Sequence, residues 1–187
     1  MKTIIILAAA AAIGAIAAPA FADSNASLGY SPASVGPYNV GAVTGRFGRD
    51  SGFWGIEGEG SLGVGDDSHG VGTSQTTVKL KSEFGAFGTV QADVSDTFQV
   101  MGRAGYATAD FSSRTATLPT ATRTSDSESG LAYGVGASWL FDGMNGVRLD
   151  YTRYNLDLGR IRATSTTTAV AGENPDVWSL SFVHRFK

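Results

Sequence analysis

Residues 131–141 read LAYGVGASWLF, and apolar side chains alternate with mostly small ones through the whole stretch. Because successive side chains of a β-strand point to opposite faces, a period of two predicts a strand and not a helix. Asp142-Gly143-Met144-Asn145 follows, which is a turn sequence, and the alternation resumes at Val147. The stretch therefore predicts one hairpin of an antiparallel sheet.

The same alternation recurs along the chain and predicts eight strands, at approximately 26–33, 38–48, 52–64, 77–94, 97–111, 129–141, 146–158 and 176–186. The connections alternate between short turns and three long polar stretches that we interpret as loops, 65–75, 112–129 and 159–175. Short turns at one end and long loops at the other are typical of an outer-membrane barrel, and strands of ten residues can cross a bilayer when tilted. The sequence predicts an eight-stranded antiparallel up-and-down transmembrane β-barrel with short periplasmic turns and longer extracellular loops.

The N-terminal segment predicts export. Lys2 precedes an apolar run over residues 3–18, and Ala20-Phe21-Ala22 forms a small-residue cleavage site. This pattern is typical of a secretory signal peptide over residues 1–22, leaving residues 23–187 as one barrel domain. A membrane anchor is the alternative, but its apolar run would be short. The chain has no cysteine, and its net charge of −3 gives no sign of nucleic-acid binding.

Aromatic side chains concentrate on the apolar face, many of them near predicted strand ends, which predicts an aromatic girdle facing lipid. The girdle residues are Trp54, Phe98, Trp139, Tyr151, Trp178 and Phe186. A soluble β-sandwich or lipocalin-like barrel would show the same alternation with its faces inverted, so the pattern alone leaves both folds open. The signal peptide, the loop asymmetry and the girdle favour the membrane barrel. Arg153 falls on the lipid face, unless a bulge turns it inward.

The opposite face carries charges of both signs. We expect a structural charge network inside the barrel, formed by Arg46, Glu57, Glu59, Lys81, Glu83, Arg103, Arg148, Asp150 and Arg185. An eight-stranded barrel is just wide enough for its own side chains to fill it. Because buried charges must be paired, near-balanced signs suit a closed lumen. An ion-selective channel would instead favour one sign.

Candidate catalytic and cofactor motifs are weak. Residues 58–63 match G-x-G-x-x-G, but a dinucleotide fingerprint needs a following helix, whereas 65–75 is polar and rich in glycine. His69 lies near Ser68 and Asp66 in a predicted surface loop, which would not hold a base against a nucleophile. Asp66 and Asp67 lack the oxygen-ligand spacing of a dedicated calcium site. We expect no enzyme activity, no cofactor and no metal.

Five stretches resemble the small outer-membrane β-barrel proteins of Gram-negative bacteria, the OmpA/OmpX-type and opacity-type porin-like superfamily. They are GAVTGRFG (41–48), FWGIEGEGSLGV (53–64), MGRAGYATADF (101–111), YGVGASWLFDGMNGVRLDYTRY (133–154) and DVWSLSFVHRF (176–186). The resemblance implies a bacterial outer-membrane location and contact with membrane lipid and lipopolysaccharide. It also implies recognition of the C-terminal strand, ending at Phe186, by the barrel assembly machinery, although Lys187 departs from the terminal Phe of that signal.

The resemblance is specific for fold and location and leaves activity open, because the superfamily includes structural proteins, adhesins and surface antigens. The first hypothesis is a structural barrel that supports envelope integrity and has a side-chain-filled lumen. The second is a surface interaction protein, adhesin-like or lipopolysaccharide-contacting, acting through Ser/Thr-rich loops such as 113–127 and 160–174 toward an unknown extracellular ligand. A small-solute porin is the third.

Overall fold

The computed structural model describes residues 24–35, 38–71, 74–117, 120–156 and 175–186. Nine strands lie in these ranges: β1 (Ser24–Val35), β2 (Tyr38–Ser51), β3 (Trp54–Gly63), β4 (Asp66–Val71), β5 (Ser74–Asp93), β6 (Phe98–Thr117), β7 (Thr120–Leu140), β8 (Asn145–Leu156) and β9 (Asp176–Phe186). The strands form one antiparallel sheet in the order β3-β2-β1-β9-β8-β7-β6-β5-β4, and β3 also pairs with β5. That last pairing closes the sheet into a barrel.

Strands β3 and β4 are two segments of one barrel strand, because both pair with β5. Residues 54–62 pair with 82–90, and residues 66–71 pair with 74–79. Between the segments, the backbone N–H groups of Val64 and Gly65 donate to the Gly41 carbonyl at 2.9 and 3.3 Å. The register of β5 shifts at the same level, between Leu80 and Ser82. The barrel therefore has eight strands, which confirms the predicted fold class.

The ends of the barrel are distinguished by their connections. Ser24 of β1 pairs with Phe186 of β9, and the tight turns at 94–97 and 141–144 lie at this same end. In the second turn the Asp142 carboxylate accepts hydrogen bonds from the Asn145 side chain (2.8 Å), the Asn145 backbone N–H and the Met144 backbone N–H (2.9 Å), which lower the pKa of Asp142 to about 2. Gly143 supplies the positive φ of 76° that this turn requires.

The barrel wall is uneven in height. Strands β5, β6 and β7 have 20, 20 and 21 residues, whereas β1 and β8 have 12 each. Two of the three predicted loops, 65–75 and 112–129, are therefore wrong: they are mostly strand. Above the lipid both faces of a hairpin meet water, so the apolar half of the alternation disappears while Ser- and Thr-rich strands keep pairing. The third predicted loop lies outside the described residues except for Pro175.

Alternate residues of each strand face outward or into the lumen. On β7 the outward side chains of Leu131, Tyr133, Val135 and Trp139 are apolar and exposed, whereas Ala132, Ser138 and Leu140 are buried. Eight residues at a strand rise of about 3.3 Å and a tilt of about 40° cover roughly 20 Å, close to the apolar height of an outer-membrane barrel. The described residues contain no helix that is long and apolar enough to cross a membrane.

Candidate functional site

The lumen is the candidate functional site, and it is filled by three layers of side chains. The apolar plug lies toward the long hairpins and consists of Ala33, Val40, Ala42, Leu80, Phe87, Ala107, Ala109, Ala132 and Tyr154. The ion network occupies the middle and consists of Arg46, Glu57, Glu59, Arg103, Arg148 and Asp150. The polar mouth at the end with the tight turns consists of Asn25, Asp50, Gln91, Gln99 and Arg185.

Arg148 stands at one side of the ion network and bridges two carboxylates. Its Nε lies 2.9 Å from Asp150 Oδ1, and its Nη2 donates to Glu57 Oε1 at 3.2 Å, while its Nη1 contacts the other oxygen of Glu57. Arg148 is only 1% exposed and is among the largest fully buried side chains described. Because the planar guanidinium matches carboxylate geometry, one arginine holds β8 against β3 across the lumen.

Glu59 lies at the other side of the ion network and accepts from three donors. Arg46 Nε forms a close ion pair with Glu59, and Arg103 Nη1 lies 2.9 Å from Glu59 Oε2 and 3.3 Å from Glu57 Oε1. The Tyr154 hydroxyl donates to Glu59 Oε1 at 2.7 Å. Arg46 Nη1 also lies 3.5 Å from Asp150, so the six residues form one connected network across β2, β3, β6 and β8.

A row of hydroxyls completes the polar layer where no charges stand. Ser31 donates to Ser179 (2.9 Å) and shares a hydrogen bond with Thr44 (2.7 Å), which in turn bonds Ser61 (2.9 Å). Arg46 Nη1 donates to Ser179 at 3.1 Å and ties this row to the ion network. Strand alternation places these hydroxyls and Tyr154 on the inward face, although no sequence motif marks them as a site.

Three of the nine residues expected in the charge network stand apart from it. Glu83 is buried in the lumen, but no salt bridge to it occurs among the described residues. Arg185 bonds Gln99 in the polar mouth. The prediction that Lys81 lies in the lumen is wrong: Lys81 is exposed on the outside, where its Nζ donates to Ser125 at 2.9 Å. The bulge between Leu80 and Ser82 shifts the alternation by one residue, and this shift moves Lys81 to the opposite face.

The apolar plug meets the ion network through Phe87 as well as through the Tyr154 hydroxyl on Glu59. The Arg103 guanidinium lies 3.6 Å from the centre of the Phe87 ring, which is a cation–π geometry. Phe87 is buried, as are Leu80 and Ala107 beside it in the plug. The lumen therefore changes from charged to apolar within one side-chain length.

The girdle residues all lie on the outward face. Trp54, Phe98 and Trp139 stand at the end with the tight turns, as does the half-buried Phe186. Tyr151 and Trp178 form a register pair nearer the other end, with ring centroids 5.1 Å apart. Beside them Arg153 also points outward and pairs with Asp176 at 3.5 Å, so no bulge turns Arg153 inward.

The weak catalytic motifs fall on strands. Residues 58–63 lie within β3 and lead into β4 without a helix, and a Cβ on Gly63 would lie 1.9 Å from the Leu80 carbonyl oxygen. Ser68 and His69 are consecutive residues of strand β4 rather than loop residues. Within the described part of the chain, no group of three or more His, Asp or Glu stands close enough to hold a metal ion.

A closed antiparallel barrel with a charged interior and an apolar exterior defines a class of protein, the integral β-barrels of the bacterial outer membrane. The comparisons agree. The chain belongs to the family described as outer membrane protein beta-barrel domain, whose model matches residues 8–186. The protein is accordingly a bacterial outer-membrane protein. No curated protein matches it by sequence.

Solved structures resemble the fold at low sequence identity. The crystal structure of Ail, the attachment invasion locus protein of Yersinia pestis, aligns with a TM-score of 0.60 at 16% identity, covering 89% of this chain and 99% of Ail. Ail in complex with the heparin analogue sucrose octasulfate aligns at 0.57 and 16%, covering 87% and 97%. The N-terminal β-barrel domain of Pseudomonas aeruginosa OprF aligns at 0.55 and 10%, covering 88% and 98%.

Proposed function

We propose that this protein is a structural barrel that supports the integrity of the outer membrane and does not conduct solutes. The observation that carries the proposal is the filled lumen, in which the ion network and the apolar plug follow one another along the barrel axis. Closure of the strand ladder satisfies the backbone groups in lipid, and the network takes the place of an apolar core.

The test is a deletion strain challenged with detergent and with a large hydrophobic antibiotic, which an intact outer membrane excludes. We expect the strain to become more sensitive and the full-length gene to restore resistance. A complementing gene with residues 113–127 shortened to a tight turn should restore resistance equally well, because the barrel itself carries this role. Unchanged resistance in the deletion strain would contradict the structural role.

A second candidate function is surface interaction, and the height of β5, β6 and β7 favours it. These strands carry a Ser- and Thr-rich sheet above the lipid. Ail, which has a similar fold, has been crystallised with a heparin analogue, so a sulfated saccharide is a reasonable first probe. If shortening 113–127 abolishes binding to heparin-coated beads while leaving detergent resistance intact, the hairpin has the interaction role. Equal binding by both forms would exclude it.

We also propose which segments direct the export and the membrane assembly of the protein. Residues 1–22 act as a cleaved signal, so the mature protein from an outer-membrane fraction should start at Asp23 by mass spectrometry. Strand β9, which ends at Phe186, is the segment we propose for recognition by the barrel assembly machinery. Phe186→Ala should lower the amount of folded barrel in the membrane, whereas Trp178→Phe, at the other end of the strand, should not.

A further inference from the structure

An exposed ion pair lies on the outward face of the wall, at the end of the apolar band that carries the long hairpins. Arg153 of β8 and Asp176 of β9 are direct Cα partners, and Arg153 Nε lies 3.5 Å from Asp176 Oδ1. Their side chains are 44% and 39% exposed, and they stand two residues beyond the outward pair of Tyr151 and Trp178. Two opposite charges therefore face away from the barrel at the level of the outer-leaflet surface.

The ion pair leaves part of its hydrogen-bonding capacity unused. The Tyr151 hydroxyl donates to Asp176 Oδ1 at 2.9 Å, and the contact of Arg153 is with the same oxygen. Among the described residues, no hydrogen bond reaches Asp176 Oδ2 and none is donated by Arg153. A carboxylate accepts on both oxygens, and a guanidinium presents its two Nη groups as a fork. The pair therefore has one acceptor oxygen and one donor fork that the described part of the chain does not use.

The order of the two charges makes this surface complementary to itself. Copies in one membrane share one orientation, so a two-fold axis along the membrane normal can relate two of them. Rotation about this axis brings the left side of one wall opposite the right side of the other. Because Arg153 and Asp176 stand side by side on neighbouring strands, Arg153 of each copy then faces Asp176 of the other. One exposed ion pair in each copy gives two further pairs between the copies.

The residues next to the ion pair follow the same rotation. Tyr151 and Trp178 are register partners with ring centroids 5.1 Å apart, and the exposed Leu149 and Leu180 form the next pair of the two strands. Apolar contact alone gives little preference for a protein partner in a membrane, because lipid tails are equally apolar. The charges therefore decide which face of the wall meets another copy and in which orientation.

We propose that the outward face of β8 and β9 is a dimer interface, in which Arg153 of each copy pairs with Asp176 of a second copy of this chain. An anionic lipid headgroup would attract Arg153 but would be repelled by Asp176, whereas a second copy satisfies both charges. The inference goes beyond the proposed structural role and depends only on the location of the barrel in the outer membrane.

The test uses the full-length protein in outer-membrane vesicles and a short thiol-specific crosslinker. The chain has no cysteine, so one introduced cysteine reports a single position. Asn155→Cys places it on β8 beside Arg153, where Asn155 is exposed. Leu62→Cys is the matched control, because Leu62 is exposed on β3, across the barrel from β8 and β9. Asn155→Cys should give at least about fivefold more crosslinked dimer than Leu62→Cys, since contacts between charged pairs at a surface contribute up to about fivefold each.

Charge reversal identifies the occupant. In the Asn155→Cys background, Arg153→Asp makes the surface acidic and Asp176→Arg makes it basic, so like charges face each other and the dimer should fall at least about fivefold. The double reversal, Arg153→Asp with Asp176→Arg, should restore the dimer. Co-expression of the two single variants should also restore it, as a mixed dimer that differently sized tags reveal.

Three results would each overturn the proposal: equal crosslinking at Asn155→Cys and Leu62→Cys, a dimer that survives both single reversals, or no recovery in the double reversal and the mixed pair. If a headgroup phosphate occupied this surface, Asp176→Arg would strengthen its binding and mixing would restore nothing. The folded band on cold gels is checked for every variant, and a reversal that lacks it is replaced by Arg153→Gln or Asp176→Asn, for which a smaller loss of dimer is expected. A failed barrel and a failed interface therefore give different results.

Discussion

The ion network and the apolar plug fill the same lumen by opposite chemistry. In the network, six charged side chains hold four strands together through paired donors and acceptors. In the plug, alanines, Val40 and Leu80 fill space without polar partners. The difference teaches that a barrel interior does not need charge to be filled. Charge adds mutual dependence here, because removing one network residue leaves its buried partners with fewer opposite charges.

Removing Arg148 should have the largest effect. Arg148→Leu leaves Glu57 and Asp150 without their shared partner, and breaking a buried ion pair in this way costs about 3–5 kcal/mol of unfolding free energy. Urea unfolding followed by cold gel mobility measures the loss, with Arg49→Leu on the exterior as control. A loss no larger than that of the control would mean that the network is not a structural unit.

Removing apolar volume from the plug should lower the unfolding free energy by somewhat less. Leu80→Ala removes buried apolar volume and leaves a cavity, which lowers the unfolding free energy by about 2–3 kcal/mol. Leu80→Met, of similar volume, should cost less than about 1.5 kcal/mol. Equal effects from both changes would show that packing in this layer is loose, contrary to its burial.

Glu83 tests whether burial alone, without an ion pair, makes a charged side chain important for stability. It is buried beside the network, yet no salt bridge to it occurs in the described ranges, so Glu83→Gln should lower the unfolding free energy by less than about 1 kcal/mol. The same change at Glu59, which removes a charge from Arg46 and Arg103, should cost several times more. The pair is measured in the same urea series. Similar losses of unfolding free energy at the two positions would show that the ion pairs of Glu59 do not distinguish it from Glu83.

Replacing Asp142, which lies outside both the ion network and the apolar plug, should have the smallest effect on stability. Its pKa is lowered from 3.8 to about 2 by hydrogen bonds in the turn, so its contribution to stability is present above about pH 4 and is lost as pH falls toward 2. Asp142→Ala removes that contribution. The difference in urea midpoint between wild type and variant should shrink over this interval, while Asp96→Ala in the other tight turn serves as control. A constant difference from pH 5 to pH 2 would contradict the turn geometry.

Strand alternation, together with the signal peptide, the loop asymmetry and the girdle, predicts the barrel and the faces on which most residues lie. Arg46, Glu57, Glu59, Arg103, Arg148 and Asp150 were expected inside, and the structure places them in contact there. Their pairings were not predictable, because a contact between β3 and β8 depends on barrel closure and stagger. Alternation along β8 places Tyr154 on the inward face, but alternation alone does not show that its hydroxyl meets Glu59.

The errors have local physical causes. Alternation continued through β5 predicts Lys81 in the lumen, because the bulge that interrupts the alternation leaves no strong signal in the sequence. Polar composition predicts loops over residues 65–75 and 112–129, because a strand whose two faces both meet water has the composition of a loop. Composition indicates solvation there, whereas backbone pairing decides the structure.

The central claim is a lumen closed by its own side chains, and single-channel recording in planar lipid bilayers tests it most directly. The folded wild-type protein should give no discrete conductance steps under conditions in which a known porin does. A plug variant combining Leu80→Ala and Phe87→Ala, checked for the folded band, should also give no steps, because the ion network still fills the lumen. Stable, uniform steps from the wild type would contradict the closed lumen and favour a solute pore.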